Sequence, residues 1–411
     1  MKKILLRKPK MSGFEIDFIK DALAEDWAVP LGPDVTAFEE ELKQFMGAKE
    51  VVALNSGTSA MHLALLAAGV EPGDEVLVQS FTFCASCNPV VYIGAKPVFI
   101  DSERKSWNMD PMLLEMAIND RINTTGKKPK AIIPVALYGM PYDIGTIMTI
   151  ADKYGIPVVE DAAEAFGSEF NGRKLGTFGR FGVLSFNGNK MMTTSGGGAV
   201  ICPDKESKER IMWYATQARE NLPYYHHEEI GYNYRLSNIS ACIGRGQLKV
   251  VGSYIDHHRH VHALYSELLK NVEGIKLHDN PSPLYNSNFW LCNITLDSSA
   301  KIRRKEGMKD SLAIGGGGVV SAYRHDSESK SDFHPNQNVE DLRQLLALHG
   351  IESRPLWKPM HHQPVYRDAI AYPNGVSDEL FKTGLCLPAG PYVTDDDVKF
   401  IVDTILSNIE S

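Results

Sequence analysis

EVVALNSGTSAMHLALLAAG, residues 50–69, sets the fold class. Its opening six residues form an apolar run rich in Val, which reads as a buried strand. From Ser56 the pattern turns helical, with Ser and Thr at the start and Gly69 at the end. Hydroxyl side chains there cap free backbone amides, and a terminal Gly accepts the left-handed turn that closes a helix. The same grammar recurs downstream. DEVLVQS (74–80), KPVFID (96–101), KAIIPVALYG (130–139) and IPVVEDAA (156–163) read as strands, and DIGTIMTIADKYG (143–155) as a helix between two of them. Such alternation predicts an α/β fold, a mostly parallel sheet flanked by helices on both faces. Ligands of these sheets bind beyond the carboxyl ends of the strands, so polar residues just after an apolar run carry the weight.

The length of 411 residues predicts two domains. Residues 1–252 would form the large one, with an N-terminal arm, and residues 253–411 a smaller α+β domain. HHRHVHALYSELLKNVEG (257–274) leads into the second as a helix, NFWLCNITLD (288–297) is a strand, and NVEDLRQLLALHG (338–350) is a helix. Between them, residues 298–338 are rich in charge, Gly and Ser, including Gly315–Gly318, and read as a loop excursion. The net charge of −8 argues against a general affinity for nucleic acid or an anionic membrane. Six scattered Cys suit a reducing compartment, and no run approaches the roughly 18 apolar residues of a membrane span. The basic start lacks the apolar stretch of a signal peptide. These features together predict a cytoplasmic enzyme.

Four segments at strand ends hold the candidate chemistry. At Asn55-Ser56-Gly57-Thr58-Ser59 a strand passes into a helix, whose unpaired amides and dipole suit a phosphate. Capping alone would also explain that turn. Glu160-Asp161-Ala162-Ala163-Glu164 closes an apolar run with acids, either a functional carboxylate or a helix start. A pyridoxal phosphate (PLP) ring requires a carboxylate at its pyridine nitrogen, a role for Asp161, and small Ala163 would let the ring lie flat. In GVLSFNGNK (182–190), Lys190 follows an apolar run and precedes Thr193-Thr194-Ser195-Gly196-Gly197-Gly198. A Schiff-base lysine must be partly desolvated, and small neighbours leave space for a cofactor. Ser185 could reach the phosphate. In Ser80-Phe81-Thr82-Phe83, the Phe83 ring could stack on the pyridine, although a core Phe is the commoner outcome.

NSGTSA, SFTF, EDAAEA, SFNGNK with TTSGGG, GYNYRLSN (231–238) and RPLWKPMHHQP (354–364) together resemble the DegT/DnrJ/EryC1/StrS family of fold-type-I PLP sugar aminotransferases. The matches keep the family's order over nearly the whole chain. The resemblance implies Lys190 as the covalent anchor, Asp161 on the pyridine nitrogen, and Gly57, Thr58 and Ser185 at the phosphate, with Ser56 in the same turn. It also implies that Asn233 reaches the phosphate of a neighbouring subunit, and hence a homodimer with shared sites. Dehydratases of the family carry His at the anchor position, so Lys190 favours amino transfer. AVPLG (28–32), ATQAREN (215–221) and RLSNISACIG are similar to the bacillosamine branch. That branch moves the amino group of glutamate to C4 of a UDP-linked 2-acetamido-2,6-dideoxy-4-keto hexose, giving the equatorial product. It also carries Glu at the position of Glu164. A UDP-sugar needs cationic partners, for which Arg219, Arg235, Arg354 and Lys358 are candidates. Trp357, His361 and Tyr366 are candidates for lining the sugar or uracil.

Other signals were weaker. Cys84-Ala85-Ser86-Cys87 lacks a second pair for zinc and reads as buried structural thiols. His257, His258, His260 and His262 crowd one helix without the Glu of a metalloprotease motif, and read as a solvated face rather than a metal site. No metal is expected.

Overall fold

The computed structural model describes residues 3–308 and 333–410. Gly315–Gly318, at the centre of the excursion expected over 298–338, lies outside the described residues. Strands Glu50–Leu54, Gly198–Cys202, Phe181–Ser185 and Val159–Asp161 lie side by side in that order. A second ribbon runs Ala131–Ile133, Glu75–Gln79, Lys96–Ile100 and Ile370–Tyr372. Bridges Ile132–Val158 and Val135–Asp161 join the two into one continuous sheet. Only Gly198–Cys202 runs against its neighbours; every other pairing is parallel. This is the architecture expected of a fold-type-I PLP enzyme.

Buried Val, Ile, Leu and Ala dominate the two cores that pack against this sheet. A sheet covered on both sides is nearly continuous in apolar residues, which is why its strands stand out as runs. Helix Gly57–Ala67 starts at Ser56, whose hydroxyl accepts the Ser59 amide at 3.0 Å. Helix Ile144–Tyr154 begins at Asp143 and closes on Gly155, at φ 59°. One expected strand is shorter than its apolar run. KAIIPVALYG forms a named strand only over Ala131–Ile133, because Pro134 supplies no amide; past it a single bridge remains at Val135, and the chain then turns through Leu137–Gly139, with Tyr138 at φ 56°.

A separate antiparallel sheet orders Ile275–Leu277, Cys292–Leu296, Gly384–Leu387 and Arg354–Pro355. Helices Val251–Leu269, Gln337–Leu348 and Asp395–Leu406 contribute to its apolar core. The chain then returns to the first sheet, where Ile370–Tyr372 pairs in parallel with Lys96–Ile100. The histidine-rich helix departs from its reading as a solvated face. His258 and His262 are buried and bond to the carbonyls of Phe289 and His278, and His257 bonds to that of Val393. Only His260 stands out in solvent, beside Asp395. Among the described residues, no helix is long and apolar enough to cross a membrane.

Candidate active site

The sheet register builds the site. Gly198 lies opposite Leu54 on one side and Ser185 on the other. The turn after Leu54 therefore meets the end of the Ser185 strand across a residue with no side chain. A Cβ on Gly198 would come within 2.5 Å of the Gly57 nitrogen. One on Gly57 would come within 2.9 Å of Ser185 Cβ and 3.1 Å of its Oγ. Both glycines are thus demanded by close approach. In the first helical turn, the amides of Gly57 and Thr58 have no intrahelical acceptor, and the helix dipole adds partial positive charge. Ser56, Gly57, Thr58 and Ser185 line one end of a cavity of about 340 Å³, within the roughly 300–1,000 Å³ of small-molecule sites.

Asp161 ends its strand deep in the same cavity, two strand positions from Gly198. Its Oδ2 accepts from Ser86 Oγ at 2.6 Å and its Oδ1 from the Ala163 amide at 3.1 Å. Ser86 in turn shares a 2.7 Å bond with Thr82 Oγ1. Burial pushes the Asp161 carboxyl above its ordinary pKa, against those hydrogen bonds and the charge of Lys190. A bound cation would relieve that desolvation. Ala163 forms part of the wall beside it, and Phe83 lines the opening with its ring 49% exposed and 5.6 Å from that of Trp357.

Lys190 enters from the loop after Ser185, with its side chain only 13% exposed. Its Nζ donates to Glu164 Oε1 at 3.2 Å and lies 4.6 Å from the centre of the Trp290 ring. Glu164 Oε2 accepts the Tyr138 amide at 2.7 Å, which fixes the carboxylate. Burial raises the Glu164 pKa, with Lys190 acting in the opposite sense. One cavity therefore presents an anion-binding turn, a buried carboxylate, a shielded amine and an aromatic ring. This donor set, with free amides at the Gly57–Ser185 floor, a buried carboxylate and a shielded amine, fits PLP.

Not every expected residue lies in this cavity. Asn233 is exposed, and only its backbone carbonyl approaches, accepting from Asn55 Nδ2 at 3.3 Å. Of the substrate candidates, Trp357 lines the cavity, with its indole Nε1 buried and without a hydrogen-bond partner among the described residues. Arg219 stacks on Tyr225, Arg354 pairs with Glu352 at 3.3 Å, and Lys358 stands over Phe333. None of the three lines the cavity, nor does Arg235, whose buried Nε has no acceptor among the described residues. His361 is turned away, with Nδ1 on Ser80 Oγ at 2.6 Å and Nε2 on Asp378 at 3.2 Å. Tyr366 packs instead on Phe99. Among the described residues, His361, His362 and Asp378 have possible metal-ligand atoms within 4.8 Å of one another. The nitrogens that face Asp378 already bond to it, so the group is complete without an ion.

The sequence reading passed over Thr82, Ser86 and Trp290, all cavity-lining. Ser86 sits inside the Cys84–Cys87 spacing, where attention falls on the thiols. Its bond to Asp161 spans 75 residues, and no local pattern announces it.

Comparison with known proteins agrees with this geometry. The DegT/DnrJ/EryC1/StrS aminotransferase family model matches residues 9–323 and 322–406. EpsN of Bacillus subtilis, named as a pyridoxal phosphate-dependent aminotransferase, is 41% identical over 98% of this chain and 95% of its own. GDP-perosamine synthase of Escherichia coli O157:H7 is 31% identical over 98% of each chain. The crystal structure of a DegT/DnrJ/EryC1/StrS aminotransferase from Brucella abortus superposes with a TM-score of 0.82, at 28% identity, over 96% of this chain and 95% of that one. The chain belongs to the DegT/DnrJ/EryC1/StrS family of aminotransferases, and its cofactor is pyridoxal phosphate.

Proposed function

We propose that the protein transfers the amino group of L-glutamate to C4 of a UDP-linked 2-acetamido-2,6-dideoxy-4-keto hexose. The product is an equatorial 4-amino sugar of the kind used in bacillosamine-type glycans and protein glycosylation. The observation that carries amino transfer is the placement of Lys190 Nζ and Asp161 in one cavity whose floor is the Gly57–Ser185 contact. PLP, when bound, supplies an aldehyde carbon for amine exchange and a ring that draws electrons from the adjoining carbon.

Lys190 anchors that carbon. With the donor amine in place, Lys190 Nζ would take the proton from Cα of glutamate, where PLP would supply the electron sink. In the second half-reaction it moves a proton the other way, onto Cα's counterpart, C4 of the sugar. Glu164, 3.2 Å from Nζ, orients the amine and accepts from it between turns. Asp161 holds a proton at the ring nitrogen by ion pairing. Thr82 and Ser86 keep its carboxylate aimed.

Asn233 serves the phosphate of a second subunit in this reading, which makes the active unit a homodimer. Its exposed side chain suits a group whose ligand lies outside its own chain. The basic residues Arg219, Arg235, Arg354 and Lys358 stand outside the cavity, where the UDP end of a long substrate would emerge or where a second subunit would contribute them. A GDP-linked 4-keto sugar is the second reading. It is favoured by the GDP-perosamine synthases, at 30–31% identity over nearly the full chain.

Incubation with glutamate and UDP-, GDP- or dTDP-linked 4-keto sugars, followed by mass analysis, separates these readings. Amino transfer to the UDP-linked N-acetylated ketone supports the first. Transfer to a GDP-linked ketone alone replaces it with the second. No transfer to any keto sugar, with glutamate present, overturns both.

A further inference from the structure

The N-terminal arm reaches the backbone of the Lys190 loop. Arg7 Nε donates to the Asn189 carbonyl at 3.0 Å, and Nη2 donates to the Lys190 carbonyl at 2.8 Å. Nη1 contacts His258 Nε2. The Nδ1 of His258 bonds to the Phe289 carbonyl at 3.1 Å, so that nitrogen carries the proton and Nε2 accepts from Arg7. Trp290 Nε1 adds a second donor, 2.8 Å from the Asn189 carbonyl. Among the described residues no carboxylate pairs with Arg7. Its three nitrogens are engaged by two carbonyls and a neutral imidazole, an unusual use of a charged side chain in a partly buried place.

The arm that carries Arg7 is itself fixed to the antiparallel domain. The Ile4 amide donates to the Gly350 carbonyl at 2.9 Å, and the Glu352 amide donates to Ile4 at 2.8 Å. The Leu6 amide donates to Glu352 Oε2 at 3.1 Å, and Tyr392 Oη donates to the Leu5 carbonyl at 2.8 Å. These contacts hold the arm before and beside Arg7, while the guanidinium spans two consecutive carbonyls.

We propose that Arg7 is a positioning residue for the covalent-anchor lysine. By holding the carbonyls of Asn189 and Lys190 it fixes the two peptide planes that flank the Lys190 Cα, and with them the direction in which the Lys190 side chain leaves the backbone. It also couples the arm and the 350–352 edge of the second domain to the reacting amine. Proton transfer depends on where Nζ sits relative to two carbons, and misplacement by about 1 Å costs on the order of 100-fold. The inference rests on Lys190 being the anchor, as in the proposed function.

The test compares wild type, Arg7→Met and Arg7→Lys, each as PLP-loaded enzyme and as apoprotein. Four quantities are read: kcat and KM for glutamate, the pH midpoint of the visible absorbance of bound PLP, borohydride trapping at Lys190 by peptide mass, and apoprotein melting. For Arg7→Met, kcat falls roughly 10- to 100-fold while KM stays within about twofold, since the loss is one of alignment. Its absorbance midpoint rises by roughly half a pH unit, because a cation near the lysine has gone. Arg7→Lys keeps the charge but cannot span both carbonyls. It retains the wild-type midpoint and remains low in kcat.

A kcat within twofold of wild type for either variant overturns the positioning role. So does a fall in kcat matched by an equal rise in KM. Should Arg7→Met fail to melt cooperatively, Arg7→Lys decides alone, because full activity there would mean that charge rather than geometry matters. Absence of trapping at Lys190 in the wild type sinks the anchor assignment itself, an outcome distinct from normal trapping with indifferent Arg7 variants.

Discussion

The floor of the cavity and its rim obey different rules. On the floor, Gly57, Gly198, Ser185 and Asp161 come from strand ends whose register leaves almost no freedom, and Lys190 from the loop that follows one of them. Outside the lining, at what the proposed function takes as the rim, Arg354 pairs with Glu352 and Arg219 stacks on exposed Tyr225. A cofactor that never leaves is met by preorganised groups. On the proposed function, a substrate that must come and go would be met by side chains with room to move, which surface ion pairs of modest strength allow. The contrast predicts a steep gradient of mutational effect from floor to rim.

Lys190→Ala stands at the top of that gradient. It removes the proposed anchor and proton carrier together, so transfer should fall by on the order of 10⁴-fold or more, and no borohydride-stable adduct should form on the protein. Adduct at a different lysine with activity retained would break the contrast at its centre. Asp161→Asn comes next. An amide cannot hold the ring nitrogen protonated, and kcat should fall by on the order of 100- to 1,000-fold with the adduct still forming. Gly57→Ala acts through space. Its Cβ would press on Ser185, at a cost of about 1–3 kcal/mol that appears as weaker PLP retention on dialysis. Arg354→Ala, on the rim, should change kcat by less than about twofold, as exposed pairs contribute roughly 0–1 kcal/mol. A larger loss would move Arg354 into the substrate site.

The same division explains what could be read from the amino-acid sequence. Strands buried on both faces appear as apolar runs, so Glu50–Leu54, Glu75–Gln79 and Lys96–Ile100 fall within a residue of their expected bounds. The residues following those runs are the cavity floor, because strand ends and ligand sites coincide in such sheets. Side chains that meet the site from afar leave no periodic trace. Ser86 reaches Asp161 across 75 residues, and Arg7 reaches Lys190 across 183. Ile370–Tyr372 joins the first sheet from the far end of the chain, beyond anything its own three residues could announce. The buried His258 and His262 mislead for a related reason. An imidazole is polar by composition, yet one carbonyl partner suffices to bury it.

Asp161 offers the finest test of the floor, through stability rather than rate. In the apoprotein, burial raises its pKa above the ordinary carboxyl value near about 3.9. The folded state then holds the proton more tightly than the unfolded state. The resulting stabilisation is complete below the unfolded pKa and is lost as pH rises through the higher folded value. Apoprotein carrying Asp161→Asn has no such loss, and its neutral amide can still accept a bond from Ser86 or Ala163. Its Tm should therefore exceed that of wild-type apoprotein at neutral pH, and the difference should vanish as pH falls below about 4. With PLP bound the order should reverse at neutral pH, because the pyridinium pairs with the ionised carboxylate and not with the amide. Parallel melts of apo and loaded protein at pH 4 and pH 7 check both signs. If the variant gained nothing as apoprotein, the Asp161 carboxylate would already be satisfied by its own hydrogen bonds, and the floor would not be strained in favour of its occupant.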